Sequence, residues 1–295
     1  MDWSLFWELA LNGALGGLMY SLVGLGIVLI YKSSSVPNLS QGALVMLGAY
    51  VVLALYENLG ISIWFAMALA MGVMFVIGMG IERIALRRMA GRPLIMILMM
   101  TLALDIFIRS TTLMIWGASA RTMPMGIPSR PLFWGDVLVN RSYLVGGAVA
   151  VVLFFLFVLF FRTRMGTVLR AISDDYKASW SVGISVERGV ALSWAMSSMV
   201  AVVAGVMWGS VQGVDQSLSS LMLMGITVAV LGGLDSLLGV IVAGILVGML
   251  QSVASGYLDV LVGGGSRDLV IAMTLILTIL IRPHGLFGRE EIQRI

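Results

Sequence analysis

The sequence predicts an all-α, polytopic membrane protein of about nine membrane segments, and three observations carry the prediction. First, 60% of the 295 residues are hydrophobic and 11% are charged, whereas a soluble domain carries about a quarter charged residues. The 18 Lys and Arg with 15 Asp and Glu are too few to clothe a water-soluble surface of this size. Second, the chain divides into charge-free stretches near the ~20 residues that a helix needs to cross the hydrocarbon layer. Third, basic residues gather in alternate connections, as membrane insertion requires. The net charge of +3 is small and gives no support to nucleic-acid binding. With no cysteine, disulfide and thiol chemistry fall away, and His284, the single histidine, leaves little room for histidine catalysis.

The elements follow in order. Segment one, 9–31, comes after an N-terminus whose charges are Asp2 and Glu8; with no basic leader region it is expected to be a retained helix, not a cleaved signal. Segment two, 33–56, is uneven. The run Ser33-Ser34-Ser35-Val36-Pro37-Asn38-Leu39-Ser40-Gln41-Gly42 leaves an apolar stretch of only 14 residues, 43–56, short for a span. Segment three covers 58–81, and segment four, 93–116, is interrupted by Asp105 and Arg109. Segments five and six, 142–161 and 189–214, flank the longest polar connection, 162–188. Segment seven, 216–234, is the second short one, its apolar part 221–234 following Gln212-Gly213-Val214-Asp215-Gln216-Ser217. Segment eight is 236–258, and a shorter ninth, 269–281, closes the series.

Orientation follows from the Lys and Arg bias. An outer N-terminus places 13 basic residues inside: Lys32, then Arg83, Arg87, Arg88 and Arg92, then Arg162, Arg164, Arg170, Lys177 and Arg188, and finally Arg282, Arg289 and Arg294. Four, Arg121, Arg130, Arg141 and Arg267, fall outside. The C-terminus is then cytoplasmic. Segments one to four begin outside and six to nine begin inside, and each set has its short segment in second place. This arrangement predicts an inverted repeat, with a first copy at about 8–116 and a second at about 189–282. Such repeats are common in transporters, where interrupted segments in matching positions point to the substrate path. Ordinary loops at the polar breaks are the plainer alternative.

Three features bear on chemistry. In the connection 162–188, Ser173 or Asp174 is suited to cap a helix start and Gly183 to end it in the left-handed conformation, giving about two turns. A helix that short needs packing to persist, and Trp180 on it is an anchor for a partner or for the headgroup zone; a solvated basic loop is the alternative. Asp105 and Arg109 share a helix face four residues apart, either as a structural ion pair or as a gating element at membrane depth. In the breaks, Pro37 removes an amide donor, and freed carbonyls with Asn38, Ser40 and Gln41 offer neutral hydrogen-bonding groups to a polar or zwitterionic solute. Asp215 and Gln216 serve the same purpose at the other break, or form a loop at the mouth. Gly13 with Gly17, Gly205 with Gly209, and Gly244 with Gly248 are small-x-x-x-small pairs that predict close helix seams. The 22 methionines are read as adaptable packing.

Several motifs then carry a resemblance. Lys177-Ala178-Ser179-Trp180-Ser181-Val182-Gly183-Ile184 looks like the Glu-Ala-Ala-x-x-x-Gly loop of ABC importer permeases. Together with Val36-Pro37-Asn38-Leu39-Ser40-Gln41-Gly42-Ala43-Leu44-Val45-Met46-Leu47-Gly48-Ala49-Tyr50, Val230-Leu231-Gly232-Gly233-Leu234-Asp235-Ser236-Leu237-Leu238-Gly239 and Arg282-Pro283-His284-Gly285-Leu286-Phe287-Gly288, the chain resembles the LivH-type branched-chain amino acid permease family over essentially its whole length. Lys177 stands where that loop usually has an acid, Ser179 replaces its second Ala, and Asp235 stands where Gly is common.

The resemblance implies a single permease domain, 1–295, in a bacterial inner membrane, paired with a second related permease and fed by a periplasmic binding protein. It also implies a coupling loop, 162–188, whose residues Ser173, Asp174, Lys177, Ala178, Trp180 and Gly183 meet a cytoplasmic ATPase. ATP and Mg then belong to that partner, and no cofactor to this chain. The expected cargo is branched-chain or other hydrophobic amino acids; urea, short amides and small carboxylates are served by similar motifs. The chain has no Gly-x-x-x-x-Gly-Lys-Ser/Thr loop of its own, and no nucleophile paired with a base stands out, so an enzyme is not expected. An ion-coupled secondary transporter is the competing class, with Asp105 as its one candidate for a titrating group.

Overall fold

A computed structural model describes residues 3–288 other than 90, 129, 135, 136 and 175. The described residues form a helical bundle of eleven α-helices and one small hairpin, and among them seven helices are long and apolar enough to cross a membrane. Helix α1 (Trp3–Ser34) leads to α2 (Gln41–Leu59), α3 (Ile63–Ile81) and α4 (Leu94–Trp116). A two-stranded antiparallel hairpin, β1 (Leu132–Trp134) with β2 (Val137–Val139), precedes α5 (Arg141–Phe161). Two short helices, α6 (Arg164–Asp174) and α7 (Tyr176–Ser181), connect to α8 (Val186–Gln212). The chain closes with α9 (Leu221–Gly232), α10 (Leu237–Val262) and α11 (Ser266–Ile281).

Burial sorts the helices into a centre and a rim. The apolar windows of α1 and α8 are each 83% buried, against 11% for α4, so α1 and α8 form the core and α4 presents its apolar side chains outward. Small residues make the close approaches. Gly13 of α1 lies against Gly248 of α10, and Gly17 against Gly244, so tightly that a Cβ at Gly17 would overlap the Gly244 backbone. Because residue numbers rise on α1 as they fall on α10, the helices run antiparallel along this seam. Gly205 of α8 meets Val45 and Ala49 of α2 in the same manner. The pairs Gly13/Gly17 and Gly244/Gly248 thus form the seam their spacing predicts, whereas of the third pair only Gly205 meets a helix and Gly209 faces Val214 and Met123. The central helix α1 packs on α8, α9 and α10, while α8 packs on α2 and α3; α2 in turn packs on α3 and α4, and α9 on α10 and α11.

The first break is shorter than expected and its helix longer. Helix α1 runs on to Ser34, Ser35 takes a left-handed backbone with φ +55°, and α2 then begins at Gln41 and continues for 19 residues to a left-handed cap at Gly60. Gln41 and Gly42 join the helix because their side of the bundle satisfies them, and Glu57–Leu59 extend it beyond 56. The second break matches its expectation more closely: a 3-10 turn, Gln216–Ser220, is capped by Asp215 and leads into α9, only 12 residues long. At ~18 Å, α9 falls short of the ~30 Å hydrocarbon layer. The hairpin was not expected from an all-α reading. It is tied to α1 by Asn12, whose Nδ2 donates to Leu138 O at 2.7 Å while its Oδ1 accepts from Asn140 N at 3.0 Å.

Two of the sequence motifs meet at the end of α9. The amides of Leu286 and Phe287 donate to the carbonyls of Leu231 and Gly232 at 2.7 and 3.2 Å. These are carbonyls that a helix C-terminus leaves without partners.

Candidate functional site

The first polar break folds into the interior. Gln41 at the start of α2 lies level with Gly26 of α1, eight residues before that helix ends, which is ~12 Å inward at 1.5 Å per residue. Asn38, Ser40 and Gln41 are fully buried and spend their hydrogen bonds on one another and on α8. Asn38 Oδ1 accepts from Ser40 N and Ser40 Oγ at 2.9 and 2.7 Å, and Asn38 Nδ2 donates to Gln41 Oε1 at 3.2 Å. Ser197 Oγ of α8 lies 2.9 Å from Gln41 Oε1 and 2.8 Å from Gly26 O; its one proton serves a single acceptor at a time. The network fastens the N-terminus of a helix that starts inside the bundle, beside the start of the second broken segment, since Gly42 packs on Ser219 and Met222.

Asp105 and Arg109 form the ion pair that their spacing predicts, at 3.6 Å. The pair is not isolated. Asp105 lies close to the backbone N–H of Ala43, in the first turn of α2, where amides lack helical acceptors and the helix dipole favours an anion. An acid at membrane depth is thereby matched to both a guanidinium and a helix N-terminus. Its Oδ1 is buried without a hydrogen-bond partner among the described residues.

At the hairpin end of the bundle, Asp215 is half-buried and Gln216 exposed. Asp215 Oδ1 accepts from Ser217 N at 2.8 Å and so serves as the cap of the 3-10 turn. Next to it, Val214 exchanges backbone hydrogen bonds with Arg121 at 2.7 and 3.0 Å. Arg121 also pairs with Glu57 at 3.2 Å and donates to Trp116 O at 2.9 Å. Arg121 thus ties the ends of α2 and α4 together with its side chain and joins them to the break before α9 with its backbone.

The connection 162–188 differs from its expectation in one respect. Ser173 and Asp174 lie in the last turn of α6 and do not start the next helix. The reason is packing: Gly166, Leu169 and Ile172 recur every three residues and are buried, which holds α6 in place through Asp174. Gly183 behaves as predicted, with φ +84°. Ile184 N donates to Ser179 O at 3.0 Å and Gly183 N to Trp180 O at 3.1 Å, the paired bonds of a Schellman motif. Ser179 is buried, Ala178 is exposed, and Trp180 and Val182 are each 74% exposed. The side chain of Lys177 lies outside the described residues. A cavity of about 650 Å³ opens between the ends of α1, α5 and α6, and Ser173 and Asp174 line it together with Lys32, Arg162, Arg170 and Asp235.

Sequence reasoning overlooked a charge relay at the same end. Glu82 is 2% exposed and takes a bidentate pair from Arg87, Nε to Oε1 at 3.3 Å and Nη2 to Oε2 at 3.0 Å. Arg87 Nη1 reaches Glu187 on the first turn of α8 at 3.1 Å. The five-residue offset suits the π-helical turn Glu82–Leu86, a geometry that a 3.6-residue periodicity does not announce. Among the described residues no group of three His, Asp or Glu is placed to hold a metal ion.

Comparison with known proteins supplies the context for this geometry. Residues 9–281 match the family described as branched-chain amino acid transport system / permease component. The high-affinity branched-chain amino acid transport system permease protein LivH of Salmonella typhimurium is 28% identical, with 98% of each chain covered. The permease protein BraD of the corresponding system in Pseudomonas aeruginosa is 27% identical over 96% of each chain. A probable LivH of Methanocaldococcus jannaschii is 28% identical over 92% of this chain and 91% of its own. Among solved structures, PsaBC from Streptococcus pneumoniae in complex with Fab has a similar fold, with a TM-score of 0.50 at 16% identity, covering 96% of this chain and 94% of that one.

Proposed function

The chain belongs to the branched-chain amino acid transport permease family, a family of multi-pass membrane transport subunits, and from that membership we propose that it is the transmembrane permease subunit of an ATP-driven ABC importer. In this reading it sits in a bacterial inner membrane beside a second, related permease, receives cargo from a periplasmic binding protein, and is driven by separate cytoplasmic ATPase subunits that hold ATP and Mg. The cargo is a branched-chain or other hydrophobic amino acid. Urea, short amides and small carboxylates form the alternative cargo group within the same mechanism.

The observation that carries the reading is the loop surface at 176–184. An isolated six-residue helix is unstable in water, yet here it is closed by a Schellman motif and presents Trp180 and Val182 to solvent. An exposed aromatic on a structured turn is a docking feature, and the loop's position between α5 and α8, both apolar enough to span, links it directly to the bundle. In this reading Trp180, Val182 and the residues beside them enter a groove of the ATPase, and its closure moves α6 and α8. Ser173, Asp174, Lys177, Ala178 and Gly183 take part as the body of the loop.

The packing supports nine membrane segments in two inverted copies, α1–α4 and α8–α11. Under that correspondence, α1 on α10 matches α8 on α3, α1 on α9 matches α8 on α2, and α2 on α4 matches α9 on α11, and all six contacts occur. The two broken segments then correspond and start side by side within the bundle, where Asn38, Ser40, Gln41, Asp215 and Gln216 border the path that opens when the two permeases move. In this reading the end that carries the connections 82–92 and 162–188 faces the cytoplasm, as the Lys and Arg bias of the sequence favours.

The test is reconstitution. The chain co-purified with its ATPase and second permease, placed in proteoliposomes with the cognate binding protein, is expected to accumulate labelled leucine, isoleucine or valine only when ATP is supplied on the loop side. Uptake driven by an ion gradient without the ATPase would overturn the reading.

A further inference from the structure

A second cavity, at the hairpin end, has the features of a built binding site. It holds about 170 Å³ between α1, α5, α8, α10 and the start of α11, space for about five or six waters and so for a solute the size of an amino acid. Its walls are aromatic. Tyr20 and Trp208 are each 2% exposed and stacked with ring centroids 4.6 Å apart, and Tyr143 meets Trp208 edge-on at 6.3 Å. The polar groups on its lining are unevenly provided for. Gln251 is 2% exposed and its amide faces the Tyr20 hydroxyl without closing a well-formed hydrogen bond, and the Nε1 of Trp208 has no hydrogen-bond partner among the described residues. Arg267 stands exposed at the mouth and reaches inward, donating from Nη2 to the Tyr20 hydroxyl at 2.7 Å. It is absent from the ion pairs found among the described residues, and no Asp or Glu lines the cavity.

A buried indole N–H without an acceptor, an amide and a guanidinium that converge on one hydroxyl with no carboxylate beside them, and aromatic walls define one complementary ligand. Buried donors are normally satisfied, Arg presents a fork that fits a carboxylate, and a mostly apolar pocket with a few convergent polar groups is the usual form of a small-molecule site. We propose that this cavity binds the carboxylate of a small apolar monocarboxylate, with amino acids included. The guanidinium of Arg267 and the amide of Gln251 hold the carboxylate, and the rings of Tyr20, Tyr143 and Trp208 cover the hydrocarbon part. An α-ammonium, where present, faces the rings, whose π-systems attract cations. The site lies apart from the broken segments, so it acts as a station at the mouth of the bundle.

The proposal rests on the importer reading only for its choice of probes. The purified complex of this chain with its ATPase and second permease, in nanodiscs of zwitterionic lipid and without binding protein, is titrated by calorimetry with L-leucine, 4-methylpentanoate and leucinamide. Saturable binding of leucine and 4-methylpentanoate is expected, with leucinamide at least tenfold weaker. Arg267→Gln is expected to weaken both carboxylates at least tenfold, Arg267→Lys by less, and Gln251→Leu at least threefold, each measured on complex whose ATPase rate and melting temperature match the parent. Equal affinity for leucinamide, unchanged affinity in Arg267→Gln and Gln251→Leu, or no saturable binding below 10 mM would each overturn the proposal. ATP-driven uptake that persists beside such a result would leave the importer reading standing. Carboxylate binding in a complex that shows no ATP-driven uptake would overturn that reading alone.

Discussion

Ser197 of α8 holds Gln41 of α2 at the point where the chain re-enters the bundle, with Oγ 2.9 Å from Oε1 and both side chains fully buried. The hydroxyl also lies 2.8 Å from the Gly26 carbonyl of α1, so the start of α2 meets α8 and α1 at one point. Replacing Ser197 by Ala leaves a buried amide oxygen short of one donor, a loss of about 1–3 kcal/mol. A lowered melting temperature of the purified complex is expected, and Gln41→Leu should be worse because it also strands Asn38. An unchanged melting temperature in both variants would show that the break is held by other means.

The α1–α10 seam has no room for side chains. Gly17→Leu would drive a side chain into the Gly244 backbone, and overpacking costs about 1–3 kcal/mol even where neighbours yield. Protein recovered from the membrane should fall sharply. Gly72→Leu, at a position with open space around it, serves as the control and should be recovered at parental levels.

Trp180 and Gly183 test the loop. Trp180→Ala removes an exposed anchor without touching the bundle, so the assembled complex is expected to form while uptake falls well below ATP hydrolysis. Gly183→Ala puts a Cβ into a left-handed backbone, a cost of about 1–2 kcal/mol, and should loosen the turn with the same uncoupling. Parental ratios of uptake to hydrolysis in both variants would remove the loop from the coupling path.

Arg87 and Glu187 should behave unequally although they form one ion pair. Glu187 is 65% exposed in its side chain, and such a pair contributes a few tenths of a kcal/mol; Glu187→Gln should be nearly silent in thermal unfolding. Arg87→Leu leaves the buried Glu82 carboxylate without its bidentate partner, and a buried acceptor left unsatisfied costs about 1–3 kcal/mol. A large loss of folded protein is therefore expected for Arg87→Leu and a partial recovery in Glu82→Gln/Arg87→Leu.

Asp105 and Arg109 separate structure from gating. Asp105→Asn strands a guanidinium within an apolar span and removes the anion beside the α2 N-terminus, so membrane levels should drop. Asp105→Asn/Arg109→Leu should restore those levels, because a lone charge at membrane depth is what costs about 2.5–3.5 kcal/mol. If the double variant folds and transports, the pair is structural; if it folds and uptake is abolished, the pair takes part in gating.

Some of these relationships are written in the sequence and some are not. Gly13, Gly17, Gly244 and Gly248 are legible because a small residue every fourth position marks a helix face whatever its partner, and Gly183 because a glycine after a short helix is the usual left-handed stop. Asp105 and Arg109 are legible because four residues make one helical turn. Ser173 and Asp174 mislead because capping preference is a local signal, and the burial of Leu169 and Ile172 keeps them in the last turn of α6. The cluster of Tyr20, Trp208, Gln251 and Arg267 leaves no local trace. Tyr20 and Arg267 are 247 positions apart, and in an apolar helix a tyrosine or tryptophan reads as packing.

By itself, the sequence determined the apolar, helical character and the approximate places where helices break, because each depends on composition or on contacts within one or two turns. Only the tertiary structure decided that the first break lies inside the bundle at Gln41, that Asn38 and Ser40 bond to each other, and that four helices leave an aromatic cavity with an unpaired indole N–H under Arg267. The physical reason is that, within a membrane, helices differ little in their hydrophobic drive to associate. Which faces meet is set by close packing and by the few polar groups that must find partners, and those partners lie far apart along the chain.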